Sequence, residues 1–251
     1  MAFIQNLPGA LRFLGTIRRF KKKHVEIDRA RESGNPAEEQ AAIASAVSAW
    51  SLDAARTMRL ELKISGTENI PKENGFLVVA NHQSYADILA VLRAVDGHQL
   101  GFIAKDNLKK VPYVGYWIEE IRGLFLHRGD AKAAVKMIQE GSKLLKDGYN
   151  LCIFPEGTRS WGPETGEFKG GSFKLATKSK RPILPIAING TYHFFEENKR
   201  IRPAKATVEI LSPVFLEGLN RKEQAEKEKE IYQKIREAVS KMDQNDPMKA
   251  R

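Results

Sequence analysis

A chain of 251 residues, 42% of them hydrophobic and 29% charged, has room for one α/β domain with an appendage or for two small domains, and is neither a polytopic membrane protein nor a low-complexity chain. Forty-one Lys and Arg against 31 Asp and Glu leave a net charge of +10, which predicts attraction to nucleic acid, anionic lipid or an acidic carrier protein without choosing among them. The single cysteine, Cys152, excludes an internal disulfide or a thiolate metal cluster and fits a reducing, cytosol-facing location.

The first 23 residues hold no acid. They lack the basic start and the cleavage site of a secretory signal, and nowhere does the chain offer the run of about 18 apolar residues that a membrane-spanning helix needs. After Pro8, a good first-turn residue, Leu11, Leu14 and Ile17 with Phe13 and Phe20 fall near one side of a helix, and Arg12, Arg18, Arg19, Lys21, Lys22 and Lys23 supply its charge. Such a stretch either lies in the interface of an anionic bilayer or packs on its own domain with a solvated basic end. Past the turn at residues 33–36, Ile43, Val47, Trp50, Ala54 and Met58 form a second helical stripe, so two helices are expected within residues 1–58.

From Arg59 the period changes. Leu60, Leu62 and Ile64 alternate with polar residues, as in a half-buried strand. Short apolar runs recur at residues 76–80, 100–104, 123–126, 149–154 and 182–188, separated by helical stretches at 88–95, 113–121, 130–146 and 171–178, with a further strand at 204–211. This order predicts an α/β fold, a largely parallel or mixed sheet flanked by helices, over residues 59–218. Asp130 is the expected N-cap of the helix at 130–146, with Ala134, Ile138, Gly141 and Leu145 on one face. In the charged tail, residues 219–251, Ile231, Ile235, Val239 and Met242 predict a terminal helix laid on the domain.

Four of the apolar runs lead directly into polar residues: residues 81–87 with His82 and Asp87, then Lys105, then His127 and Arg128, then residues 155–160 with Glu156, Gly157, Thr158 and Arg159. In an open parallel sheet, ligands bind beyond the carboxyl ends of the strands, so these groups are expected to share a rim. His82 and Asp87 are five apart, about 140° around a continuous helix, and would not meet on one. If His82 ends a strand and Asp87 opens the next helix, the carboxylate reaches the imidazole, fixes its tautomer and leaves the other nitrogen as a base. Ser84 and Asp87 also have capping-box spacing, so Asp87 has a structural reading as well. No Gly-x-Ser-x-Gly elbow is present, and Cys152 sits in an apolar run as a small buried hydrophobe. The base should therefore activate a substrate hydroxyl for direct group transfer. Lys105, Arg128 and Arg159, with Lys169 nearby, suit a phosphate.

The strings NHQSYAD, RGLFLHRGD, FPEGTRS and PILPIAI, in this order, resemble the four sequence blocks of the bacterial 1-acylglycerol-3-phosphate (lysophosphatidate) acyltransferases, within the wider glycerolipid acyltransferase superfamily. The resemblance runs from about Gly66 to Pro213. It implies His82 as general base, Asp87 as its orienting partner, and the acceptor hydroxyl as nucleophile on a fatty-acyl thioester. It also implies acceptor binding by Glu156, Gly157, Thr158 and Arg159, with Arg159 at the phosphate, and binding roles for Arg128, Lys105 and Lys169, the last within Phe168-Lys169-Gly170-Gly171. Leu184-Pro185-Ile186 has a mainly structural role. Leu126-His127-Arg128 departs from the more usual Ile-Asp-Arg, which points to a specialised acceptor.

The implied reaction converts lysophosphatidate to phosphatidate with no cofactor or metal, using an acyl carrier protein or coenzyme A thioester as co-substrate. Transfer to glycerol-3-phosphate or to another lysophospholipid is the alternative within the family. A non-enzymatic basic binder of membranes or nucleic acid explains the charge but not the His and Asp pair. Location ranks the anionic partners: part of the excess lies on the N-terminal stripe and part at the proposed site, so nucleic acid comes last. An enzyme on the cytoplasmic face of the cell membrane, monotopic or peripheral and without a transmembrane span, is the expectation.

Overall fold

The computed structural model describes residues 2–111, 113–127 and 129–249, with residues 2–5 as backbone only. Three helices come first: α1 (Ala2–Arg19), α2 (Lys23–Glu32) and α3 (Pro36–Met58). α1 starts well before Pro8, which lies inside it rather than in its first turn. α2 was not expected, because its run of charges presents no apolar stripe; only Ile27 is buried. The expected single stripe on α1 is divided. Ile17 is buried and Phe13 packs edge-on against Trp50 at 6.1 Å, whereas Leu11 and Leu14, joined by Leu7, point to solvent with exposures of 58%, 44% and 43%. The segment thus packs on its own domain through one side and turns an apolar side outward.

The strands β1 (Leu60–Ser65), β2 (Leu77–Ala80), β3 (Gly101–Lys105), β4 (Leu124–Leu126), β5 (Leu151–Ile153), β6 (Ile183–Asn189) and β7 (Ala204–Ile210) form one sheet in the order β1-β7-β6-β2-β5-β3-β4. Pairings β2–β5, β2–β6, β3–β5, β3–β4 and β1–β7 are parallel, and β6–β7 is antiparallel. The carboxyl ends of β2 to β6 therefore share one rim. Between strands run α4 (Asp87–Ala94), α5 (Val114–Glu120), α6 (Ala131–Lys146) and α7 (Lys174–Ser179), and α8 (Arg221–Gln244) closes the fold.

The central strands are buried on both faces, as a parallel sheet between helices requires. Val78, Ala80 and Leu184 meet Ile27, Ile43 and Val47 of α2 and α3 and Ala90 and Val91 of α4. Leu77, Val79 and Leu151 on the other face meet Met137 and Leu145 of α6 and Ile231, Ile235 and Val239 of α8. Asp130 caps α6 by accepting from the Lys132 and Ala133 amides, as expected. Gly141 lets α6 approach α7: a Cβ there would stand 2.6 Å from Leu175 Cδ2.

At the amino ends of the strands, Glu39 of α3 is buried and accepts from Arg31 Nε at 2.8 Å, Arg122 Nε and Nη2 at 2.8 and 2.7 Å, and the Tyr149 hydroxyl at 2.6 Å. Burial and this carboxylate push the Tyr149 hydroxyl up to about 12. Helix and sheet are thus bolted together at the end opposite the polar rim. No helix among the described residues is long and apolar enough to cross a membrane.

Candidate active site

β2 ends at Ala80, and Asn81 fixes its exit by pairing both ways with the Ile188 backbone of β6, at 2.8 and 2.9 Å. The chain then turns, so that Asp87, first residue of α4, faces back to His82. His82 Nδ1 and Asp87 Oδ2 are 2.7 Å apart. The same oxygen accepts the Gln83 and Ser84 amides at 2.7 and 2.8 Å, and Oδ1 accepts the Thr191 hydroxyl at 2.5 Å. One oxygen thus reaches both the imidazole and the Ser84 amide; the capping box is only half formed, because the Ser84 hydroxyl accepts from the Ala86 amide and not from that of Asp87. Three donors independent of the imidazole, the Gln83 and Ser84 amides and the Thr191 hydroxyl, face this fully buried carboxyl group, an arrangement that suits it as acceptor for an Nδ1 proton and leaves Nε2 as the open ring nitrogen. No partner for Nε2 occurs among the described residues. The ring stacks on Phe154 at 4.1 Å and 16°, which sets its plane.

The loop after β5 is stitched to this turn. Glu156 accepts the His82 amide at 2.7 Å through one oxygen and the Gly166 amide at 2.9 Å through the other, while the Ser160 amide donates to the His82 carbonyl at 2.8 Å. Burial pushes the Glu156 carboxyl up to about 7, against the pull of those two amides. With both oxygens engaged and 5% exposure, Glu156 ties this loop to the His82 turn.

A cavity of about 500 Å³ opens beside the dyad, between the carboxyl ends of β3, β4 and β5 and the start of α6. Ile103, Leu126, Ile153 and Phe154 give it an apolar wall, and Lys105, Gly157 and Lys169 lie on its lining. Gly157 takes φ +71, and a Cβ there would come within 2.9 Å of Lys169 Nζ, so glycine lets the lysine approach the loop. His127 also lines the cavity and is paired with Asp106, whose carboxyl it holds below the usual range. Arg128 lies outside the described residues. Thr158 is exposed on the same loop.

Arg159 is elsewhere. It does not line the cavity; its Nη1 pairs with buried Glu196 at 2.5 Å and its guanidinium lies 3.5 Å over the Tyr85 ring. Among the described residues the expected cluster of cations therefore divides in two, Lys105 with Lys169 on the cavity and Arg159 on the Tyr85 side. Thr191, Glu196 and Phe154 went unnoticed in the sequence. Thr191 stands just past the apolar run of β6, so the strand-end argument that found His82 applies to it as well. Cys152 is fully buried in β5, its thiol pushed up by desolvation.

Residues 61–189 match the family model described as Acyltransferase. The 1-acyl-sn-glycerol-3-phosphate acyltransferase of Borreliella burgdorferi is 31% identical over 139 residues, 55% of each chain. That of Saccharomyces cerevisiae is 32% identical over 190 residues, covering 72% of this chain and 59% of its own. The chain thus spans between 36% and 60% of the length of the curated relatives it matches. The crystal structure of the 1-acyl-sn-glycerophosphate (LPA) acyltransferase PlsC from Thermotoga maritima superposes with a TM-score of 0.78 at 29% identity, covering 97% of this chain and 98% of that one. With its matched segment carrying the His–Asp turn, the strand-end loops and the cavity between them, the chain belongs to the acyltransferase family.

Proposed function

We propose that the chain moves a fatty-acyl group from an acyl thioester, on acyl carrier protein or coenzyme A, to the free sn-2 hydroxyl of 1-acylglycerol-3-phosphate, giving phosphatidate. The carrying observation is the His82–Asp87 pair at 2.7 Å, its ring stacked on Phe154, which is also a wall of the apolar cavity. His82 Nε2 takes the acceptor hydroxyl proton as the oxygen attacks the thioester carbonyl. The C–S bond then breaks and the imidazolium returns the proton to the leaving thiolate. Asp87 stabilises the imidazolium between these events. The cavity suits an acyl chain, Lys105 and Lys169 suit phosphates of the carrier or acceptor, and Arg159 suits the acceptor phosphate. The outward leucines of α1, with exposed Arg12 and Arg18 beside them, support work at the cytoplasmic surface of an anionic membrane, without a span. The names of the relatives support the same acceptor.

The test is release of free thiol from acyl-coenzyme A and from acylated carrier protein with lysophosphatidate, glycerol-3-phosphate or a lysophospholipid of another head group. Turnover should be fastest with lysophosphatidate, and His82→Ala should lower it by about 10²- to 10⁴-fold while the protein stays folded. Equal rates with every acceptor would remove the substrate assignment. A folded His82→Ala enzyme at the parental rate would remove the mechanism.

A further inference from the structure

Beyond Arg159, on the side of the dyad away from the cavity, lies a ledge that neither the proposed chemistry nor core packing uses. Tyr85 is 60% and Trp161 49% exposed. Arg159 sits over the first ring at 3.5 Å and 5.3 Å from the centre of the second, where Lys199 Nζ lies at 3.4 Å. Trp161 and Lys199 both hold positive φ, 70° and 54°, a conformation that costs energy for residues other than glycine and here displays a large ring and a cation at the surface. Among the described residues no carboxylate pairs with Lys199.

The ledge is tied to α1. Asn6 donates to the Lys199 carbonyl at 2.7 Å and accepts the Ile201 amide at 2.9 Å, and Gly9 rests against the Ile201 side chain. On the opposite side of the same helix stand Leu7, Leu11 and Leu14. Half-exposed aromatic rings beside Lys199, which has no carboxylate partner among the described residues, and next to a helix with an outward apolar side have the composition of a membrane interface belt.

We propose that Tyr85, Trp161 and Lys199 form a second bilayer contact, seated in the headgroup layer of an anionic phospholipid membrane. Together with α1 this contact fixes the tilt of the enzyme, so that the Arg159 side of the dyad faces the bilayer and the acceptor enters laterally. The inference rests on the membrane-surface reading above and goes further by naming the face.

Trp50→Phe with Trp117→Phe leaves Trp161 as the only tryptophan. The protein is mixed with vesicles of phosphatidylcholine and phosphatidylglycerol carrying a nitroxide either near the headgroup or deep in the acyl chains, and binding is followed separately by co-sedimentation. Trp161 should lose emission to the shallow nitroxide and less to the deep one. If the double variant does not fold, Lys199→Cys bearing an environment-sensitive dye reports the same contact, since Cys152 is fully buried and does not label. Vesicle binding with no loss of emission, or no response of the dye, overturns the second contact and leaves the membrane reading intact. Absence of vesicle binding overturns both. A response to acidic acyl carrier protein in place of vesicles would make the ledge a protein-docking face and also overturn the proposal.

Discussion

Asp87→Asn separates the charge of the dyad from its shape. The carboxylate takes three donors on Oδ2 and the Thr191 hydroxyl on Oδ1. An amide can keep its oxygen toward the first three and turn its NH₂ to Thr191, whose proton then goes to Gln83 Oε1, 3.4 Å away. The fold should lose about 1 kcal/mol, the worth of one compromised hydrogen bond, or roughly 2–4 °C in Tm for a chain of this size. The charge is a different matter. An imidazolium and a carboxylate with centres about 4 Å apart interact by about 4 kcal/mol at an effective dielectric constant of about 20. At about 1.4 kcal/mol per decade this is a loss of about 10³ in kcat. Thiol release at saturating acceptor measures kcat, and thermal unfolding measures the fold. A variant with intact Tm and kcat within about tenfold of the parent would show that Asp87 serves the turn alone, refuting the charge argument.

Thr191→Val leaves Asp87 Oδ1 buried without its donor, so urea unfolding should register a loss of about 1–3 kcal/mol with a smaller fall in kcat than Asp87→Asn; the reverse ordering would contradict the assignment. Glu156 protonates in the folded state at about 7 against 4.5 for an ordinary carboxyl. The folded form therefore holds the proton more tightly, and stability falls as pH rises from about 4.5 through about 7, by about 3 kcal/mol in all. Glu156→Gln should flatten that slope between these limits in urea unfolding; an unchanged slope rejects the attribution. Arg159→Ala strands buried Glu196 and should cost about 3–5 kcal/mol. Arg159→Ala should also raise the acceptor KM; adding Glu196→Gln should recover most of the stability while that KM stays high, and recovery of KM too would limit Arg159 to a structural role.

The legible part of the site follows from one regularity, polar residues directly after apolar runs, which located His82, Lys105 and the Glu156–Arg159 loop at the rim. Its limit is lateral. A strand end says which edge a residue reaches, not which side of the dyad, so Arg159 could not be told apart from Lys105 and Lys169 before Tyr85 and Glu196 were seen beside it. The HX₄D spacing was readable because the turn joining its members is short, whereas Thr191 lies 104 positions from Asp87 and is joined to it only by the β2–β6 pairing. Helix α2 was illegible for a related reason. Its side chains are mostly charged, and what anchors it is the buried Ile27 and the Arg31 contact with Glu39 of α3, both tertiary. The sheet and the terminal helix were legible from period alone, since Ile231, Ile235 and Val239 are buried where the stripe required.

The bolt at Glu39 governs how this protein can be made easier to handle. Cutting away residues 1–58 would take Ile43 and Val47 from the sheet's own core and strand Arg122 and Tyr149 without their carboxylate, so a trimmed fragment would lose its floor. Leu7, Leu11 and Leu14 stand clear of that core. On the membrane-surface reading proposed above, a detergent-free preparation is to be sought by recolouring those three outward positions with polar side chains, leaving the helices beneath them in place.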